Sequence, residues 1–203
     1  MLELLTGTGL ALAAGLNAYI PLLALGLANR FLTFVDLPDQ WEWLSNEWVL
    51  GIVAVLLVIE FIADKIPAVD TINDWIQTVV RPTSGGLAFG SGSTSETLAV
   101  SDPAEFFAST EWVPIATGVI LALLVHLAKM AVRPVLNVVT AGAAAPLVSA
   151  VEDAGSILLT IFAVLVPVLV IVAVPLAVWG AVVAVRRVTA RRRARAVDLP
   201  APL

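Results

Sequence analysis

The chain contains no cysteine. That excludes a disulfide, a thiolate metal site and a cysteine nucleophile. Histidine occurs once, at His126, so zinc and other transition metals lack the His/Cys ligand set they usually need. No HExxH or GxSxG motif is present, which removes the common metalloprotease and serine-hydrolase readings. Charge is scarce as well. Only 13% of residues are charged, against about 25% in soluble domains. Carboxylates are the only residues left that could hold a hard cation such as Mg²⁺ or Ca²⁺. We assign no cofactor and no metal from the sequence.

Apolar residues dominate what remains. They make up 60% of the 203 residues, and mean hydropathy is +0.98. A soluble fold of this size could not bury so much apolar surface, whereas a bilayer accepts it on the outside of a helix bundle. The fold expected is therefore all-α, a polytopic membrane helix bundle in one domain over residues 1–185. A basic tail follows at 186–203, without regular structure and on the cytoplasmic side. The amino-terminal run has no basic region before it, only Glu3, so it reads as a retained span and not a cleaved signal.

Four segments are strong spans: residues 4–28, 48–66, 112–132 and 156–185. Each approaches or exceeds the roughly 20 apolar residues that a crossing helix needs. Pro167 and Pro175 are natural kink positions in the last. Two weaker segments, 83–100 and 135–151, are rich in small residues. Each follows the Arg-Pro of a Val-Arg-Pro triplet, at Arg81-Pro82 and Arg133-Pro134. Small residues allow close helix packing, so these segments read as short spanning or re-entrant pieces.

Charge chooses between four and six crossings. Lys and Arg favour the cytoplasmic side. Arg186, Arg187, Arg191, Arg192, Arg193 and Arg195 place the carboxyl end inside. With six crossings both termini are cytoplasmic, and Lys65, Arg81, Lys129 and Arg133 also fall inside. Asp36, Asp39, Glu42, Glu47, Glu96, Asp102, Glu105, Glu111, Glu152 and Asp153 then fall outside, with Arg30 as the exception. The six-segment topology is the one expected. Trp41, Trp43, Trp48 and Trp112 stand at span ends, as an aromatic belt would. Residues 70–81 read as a short amphipathic helix on the cytoplasmic surface.

Charges inside spans are costly and mark candidate sites. Glu60 and Asp64 share one face of the second span. His126, Lys129 and Arg133 share one face of the third, and Lys65 adjoins the acidic pair. This intramembrane cluster is either an ion-pair network that fixes helix register or a gate or relay for protons or ions. Asn17, with Pro21 four residues on, marks a polar helix break of the kind that lines transporter sites. Glu152 and Asp153 read as caps at the start of the last span. The run GGLAFGSGS lacks the ending of a phosphate loop. The arginine tail suits anionic lipid and not nucleic acid.

The stretches GLNAYIPLLALGL (15–27), EFIADKIPAVD (60–70), VRP (80–82), HLAKMAVRPVLNVVTAG (126–142) and SAVED (149–153) resemble a bacterial membrane family catalogued as domain of unknown function 4126. The resemblance implies a multi-pass protein of the plasma membrane. It brings no activity, and it singles out Glu60, Asp64, Lys65, Asp70, His126, Lys129 and Arg133. Two functions are expected in parallel. One is a small transporter or channel, oligomeric because the chain is short. The other is a non-catalytic accessory or scaffold subunit of a larger membrane complex. A lipid-active enzyme using Glu60, Asp64 and Asp70 is the minor third.

Overall fold

A computed structural model describes residues 2–93, 110, 112–140, 143, 145–176, 178–180, 183 and 186. The chain divides into two compact units, residues 1–170 and 171–203. In the first unit the α-helices are α1 (Leu2–Leu16), α2 (Tyr19–Phe31), α3 (Glu47–Ala63), α4 (Pro67–Gly92), α5 (Trp112–Thr140) and α6 (Ala145–Leu165). Short 3-10 segments occupy Asp39–Ser45 and Pro167–Leu169. No strand occurs among the described residues. In the second unit, residues 171–176 and 178–180 are helical.

Among the described residues, two helical stretches, Trp112–Val138 and Ala145–Leu165, are long and apolar enough to cross a membrane. Asp39–Ser45 with α3 makes a third if that pair, bent by 60°, is counted as one span. Helix α3 carries a broad exposed apolar surface: Trp48, Ile52, Val55, Ile59 and Ile62 are exposed, and only Glu60 and Ala63 are buried.

Helix α1 is the centre of the first unit and packs on α4, α5 and α6. Its glycines and alanines make this possible, since Leu10, Ala11, Ala13 and Ala14 are completely buried. Contacts fix the directions. Gly7 lies against Phe89, and Gly15 O accepts from Arg81, so α1 and α4 are antiparallel. Gly9 lies against Ala163, and Ala13 O accepts from Ser156, so α1 and α6 are antiparallel too.

The chain then reverses at Asn17. Gly26 of α2 sits against Leu50, and Arg30 pairs with Glu47 at the start of α3. The expected single span 4–28 is thus two helices. The cause is local. The Asn17 Oδ1 accepts from the N–H groups of Tyr19 and Ile20 at 3.1 and 3.3 Å, and so starts α2 afresh. Pro21 falls in the first turn of α2, where its missing N–H costs no helical bond.

Other boundaries differ from expectation. Residues 70–81 are not a separate surface helix, and the part of 83–100 up to Gly92 is not a separate segment. Both belong to α4, which continues through Pro82. Likewise α5 continues through Pro134 to Thr140, and α6 begins at Ala145, so 135–151 is no independent span. The run 156–185 is interrupted, because α6 ends at Leu165 and Val166 leaves helical backbone before Pro167.

The amphipathic pattern of α4 is real but inverted. Asp70, Asp74, Gln77, Arg81, Ser84, Ala88 and Ser91 are buried, at alternating spacings of four and three. Val69, Ile72, Trp75, Ile76 and Val79 are the exposed face. The polar side looks into the bundle and the apolar side looks out, as in a helix solvated by lipid.

Trp41 also departs from the belt expected of it. It is 5% exposed and covers Gly90, where a Cβ would come within 2.8 Å of its ring. Trp43, Trp48 and Trp112 do keep exposed surface. A close backbone approach joins α4 to α5. A Cβ on Gly85 would lie 2.7 Å from Gly118 O, so the GGLAFGSGS run is a packing surface and not a phosphate loop.

Candidate functional site

The polar face of α4 meets the inward ends of α3, α5 and α6 at the tip of the α1–α2 hairpin. Asp64 is the hub. Its Oδ2 lies 2.9 Å from Lys129 Nζ, 3.3 Å from Arg133 Nη2 and 3.5 Å from Arg81 Nη2. Its Oδ1 accepts from Asn73 Nδ2 at 3.0 Å. The arginines of the two Val-Arg-Pro triplets thus converge on one carboxylate oxygen, each carried there by its own helix.

Arg81 is completely buried and donates to Glu60 Oε1 at 2.8 Å. It also donates to Gly15 O and to His126 Nδ1, both at 3.4 Å. A guanidinium cannot accept, so His126 receives at Nδ1 and its neutral tautomer carries the proton on Nε2. That Nε2 lies 3.0 Å from Thr78 Oγ1, which passes its own hydrogen to Asp74 O at 2.9 Å. His126 is therefore a satisfied neutral ring here, not a charge carrier.

On the other side Arg133 Nη2 lies 2.5 Å from Glu152 Oε2, and its Nη1 meets Asp70. Lys129 Nζ is 3.1 Å from the same Glu152 oxygen. Glu152 and Asp153 are thus inside α6 and at the level of the basic residues. They do not cap a helix, and they do not lie across the membrane from Lys129 and Arg133 as the six-segment topology required. Lys65 lies 3.7 Å from Asp153 and is partly exposed. Asp153 Oδ1 accepts from Asn17 Nδ2 at 3.0 Å.

The hairpin tip gives this network two helix ends. The last carbonyls of α1, Gly15 O and Leu16 O, accept from Arg81 and Lys129 at 3.4 and 3.5 Å. This suits the negative end of a helix dipole. The amino end of α2 starts beside them under the Asn17 cap. Meanwhile the start of α1 packs at the Phe89–Gly92 end of α4, remote from Lys65, Lys129 and Arg133. The start of α1 and those basic residues therefore occupy opposite ends of the first unit, whereas the sequence placed the amino terminus on their side.

Six carboxylates gather here: Glu60, Asp64, Asp70, Asp74, Glu152 and Asp153. Four basic side chains face them: Lys65, Arg81, Lys129 and Arg133. Several acceptors stay without a hydrogen-bond partner, namely Glu60 Oε2, Asp74 Oδ1 and Gln77 Oε1. Asp74 makes no ion pair among the described residues. No His/Asp/Glu grouping suited to a metal ion occurs among them either.

The expected set Glu60, Asp64, Lys65, His126, Lys129 and Arg133 is thus brought together. Asn17 joins it, and Pro21 stands one turn away in α2. Sequence reasoning left out Arg81, Asp74 and Gln77 as site residues, and named Asp70 only through the family resemblance and the lipid-active alternative. Their four-and-three spacing was the available signal, had the helix been read with its polar face inward. Of the tail arginines, Arg186 is described and exposed. Arg187, Arg191, Arg192, Arg193 and Arg195 lie outside the described residues, as do Glu96, Asp102, Glu105 and Glu111.

The sequence profile of one family spans almost all of these elements, matching residues 4–187. The chain belongs to the family described as domain of unknown function 4126. No curated protein and no solved structure matches the chain. For this member of the family, the assignment covers every helix of the site and leaves the chemistry to be argued from the geometry.

Proposed function

We propose that this is a multi-pass plasma-membrane protein that passes a small cation, or protons, through the bundle. One observation carries the reading: a helical hairpin ends, deep among apolar-faced helices, on a charged network with more carboxylates than cations. In this reading α1 and α2 form a re-entrant pair. At 1.5 Å per residue they reach about 22 and 20 Å, short of the roughly 30 Å hydrocarbon core. Non-helical backbone at depth is tolerated only inside protein or along a polar path. The end bearing Lys65, Lys129 and Arg133 faces the cytoplasm, and the amino terminus faces out.

Two experiments test this. Single cysteines are introduced at Glu3, Asp39 and Ile66 of the cysteine-free chain. An impermeant thiol reagent on intact cells should label the first two and spare the third. Labelling of Ile66→Cys with the first two protected reverses the topology. For function, purified protein in liposomes should dissipate an imposed cation or proton gradient, and Glu60→Gln should slow it at least tenfold. Intact gradients with the wild type, across protons, Na⁺ and K⁺, overturn the transport reading.

The three-cation grip on Asp64 also supports a second reading, an accessory subunit whose charges only fix helix register. Native mass after gentle extraction separates the two. A homo-oligomer supports transport, and stoichiometric co-purification with another membrane complex supports the accessory role.

A further inference from the structure

Between the inner halves of α4 and α5 lies a cavity of about 420 Å³, lined in part by Asp70, Asp74, Trp75, Met130, Arg133 and Asn137. Its polar groups are unequal. Arg133 is ion-paired with Asp64, Asp70 and Glu152. Asp74 is 6% exposed, and its Oδ1 has no partner. The cavity therefore offers one uncommitted negative charge and no uncommitted positive one. An entering anion would have to displace three carboxylates from Arg133 while facing Asp74.

Apart from Asp70 and the neutral amide of Asn137, the remaining walls are apolar or soft, with the Trp75 ring and the Met130 thioether. Aromatic faces attract organic cations, by about 0.5–2 kcal/mol, and thioethers adapt to apolar shapes. Bare metal ions fit poorly, since one free carboxylate falls short of the six or more oxygens that Ca²⁺ takes. Trp75 and Val138 on the rim are exposed, so the opening lies on the lipid-facing flank of the bundle.

We propose that this cavity binds the ammonium group of an organic cation with an apolar body, the ammonium on Asp74 and the body along Trp75 and Met130. Two sources carry that chemistry, a free alkylamine and an aminophospholipid headgroup reaching in from the membrane. The proposal rests on the bundle's lying in a bilayer. It does not depend on the bundle's conducting anything.

The experiment is calorimetric titration of the purified full-length protein, in an uncharged maltoside detergent, with n-butylammonium. Saturable binding is expected, with n-butanol and butyrate silent. Asp74→Asn keeps the shape and breaks no ion pair, and it should weaken binding at least tenfold. Trp75→Leu, at an exposed position, should weaken it several-fold with an unchanged melting temperature, and it remains informative if the first variant folds poorly. Added phosphatidylethanolamine identifies the source. Competition with butylammonium assigns the site to a lipid headgroup, and no competition assigns it to a soluble amine. Absent saturable binding, or equal affinity in Asp74→Asn and Trp75→Leu, overturns the site. The liposome flux assay is scored separately, so binding without flux would sink transport and leave the site standing.

Discussion

Neutralising Asp64 and neutralising Glu60 should have very different consequences, although both carboxylates are buried, Glu60 in the last turn of α3 and Asp64 just past its end. Asp64 Oδ2 serves Lys129, Arg133 and Arg81 within 3.5 Å. Asp64→Asn removes the charge that all three share and presents an amide to them. Each cation keeps at least one other partner: Glu152 for Lys129, Glu152 and Asp70 for Arg133, and Glu60 for Arg81. Breaking a buried ion pair from one side costs about 3–5 kcal/mol, and Asp64→Asn falls in that range. Glu60 serves Arg81 alone, and Gln keeps an acceptor oxygen for it while Asp64 supplies charge nearby. Replacing a charged acceptor with a neutral one costs about 1 kcal/mol. A chain of this length loses roughly 2–4 °C of Tm per kcal/mol, so Asp64→Asn should fall about 6–20 °C and Glu60→Gln about 2–4 °C. Thermal unfolding of both variants in one detergent, followed by tryptophan fluorescence, reads the difference. Equal losses, or a larger loss for Glu60→Gln, would refute the hub.

Three further expectations follow from the same geometry and are read in the same melting assay. Asn17→Ala removes the cap of α2, worth about 1 kcal/mol, together with a hydrogen bond to the Asp153 carboxylate, worth about 1.5–3 kcal/mol. Asn17→Ser keeps the cap acceptor and should lose less, so equal losses would count against the cap. Gly85→Val drives a side chain into Gly118 O and should cost about 3 kcal/mol, at the upper end for overpacking, whereas Gly51→Val, where a Cβ meets nothing, should be nearly neutral. Lys65→Met removes a partly exposed pair and should cost under about 1 kcal/mol. Lys129→Met leaves Asp64 and Glu152 short of a buried cation and should cost about 3–5 kcal/mol.

Much of the charged cluster was legible because helical period alone puts Glu60 with Asp64, and His126 with Lys129 and Arg133, on shared faces. The cost of charge in an apolar segment then marked them as a group. Asn17 was legible as a break for the same kind of local reason, a polar side chain followed by a proline. Arg81 was not. Read as part of a short stretch, residues 70–81 have the amphipathic pattern of a surface helix, and a moment does not say which face meets the solvent. In water the polar face turns out. In lipid, with a polar partner network available inside, it turns in.

The sequence by itself determined the class of the protein, its wealth of apolar helix and the positions where charge is buried, since composition and period are properties of the chain alone. Tertiary structure decided three other things: that α1 and α2 double back at Asn17, that Glu152 and Asp153 join the basic residues and do not lie opposite them, and that α4 faces inward with its charges. Each depends on which helices pack side by side. That choice is made by close fits such as Gly85 on Gly118 and Gly7 on Phe89, and by ion pairs between residues distant in the chain, such as Asp64 and Arg133, 69 positions apart. Neither hydropathy nor the distribution of Lys and Arg contains that information, because both treat every segment as if it crossed alone.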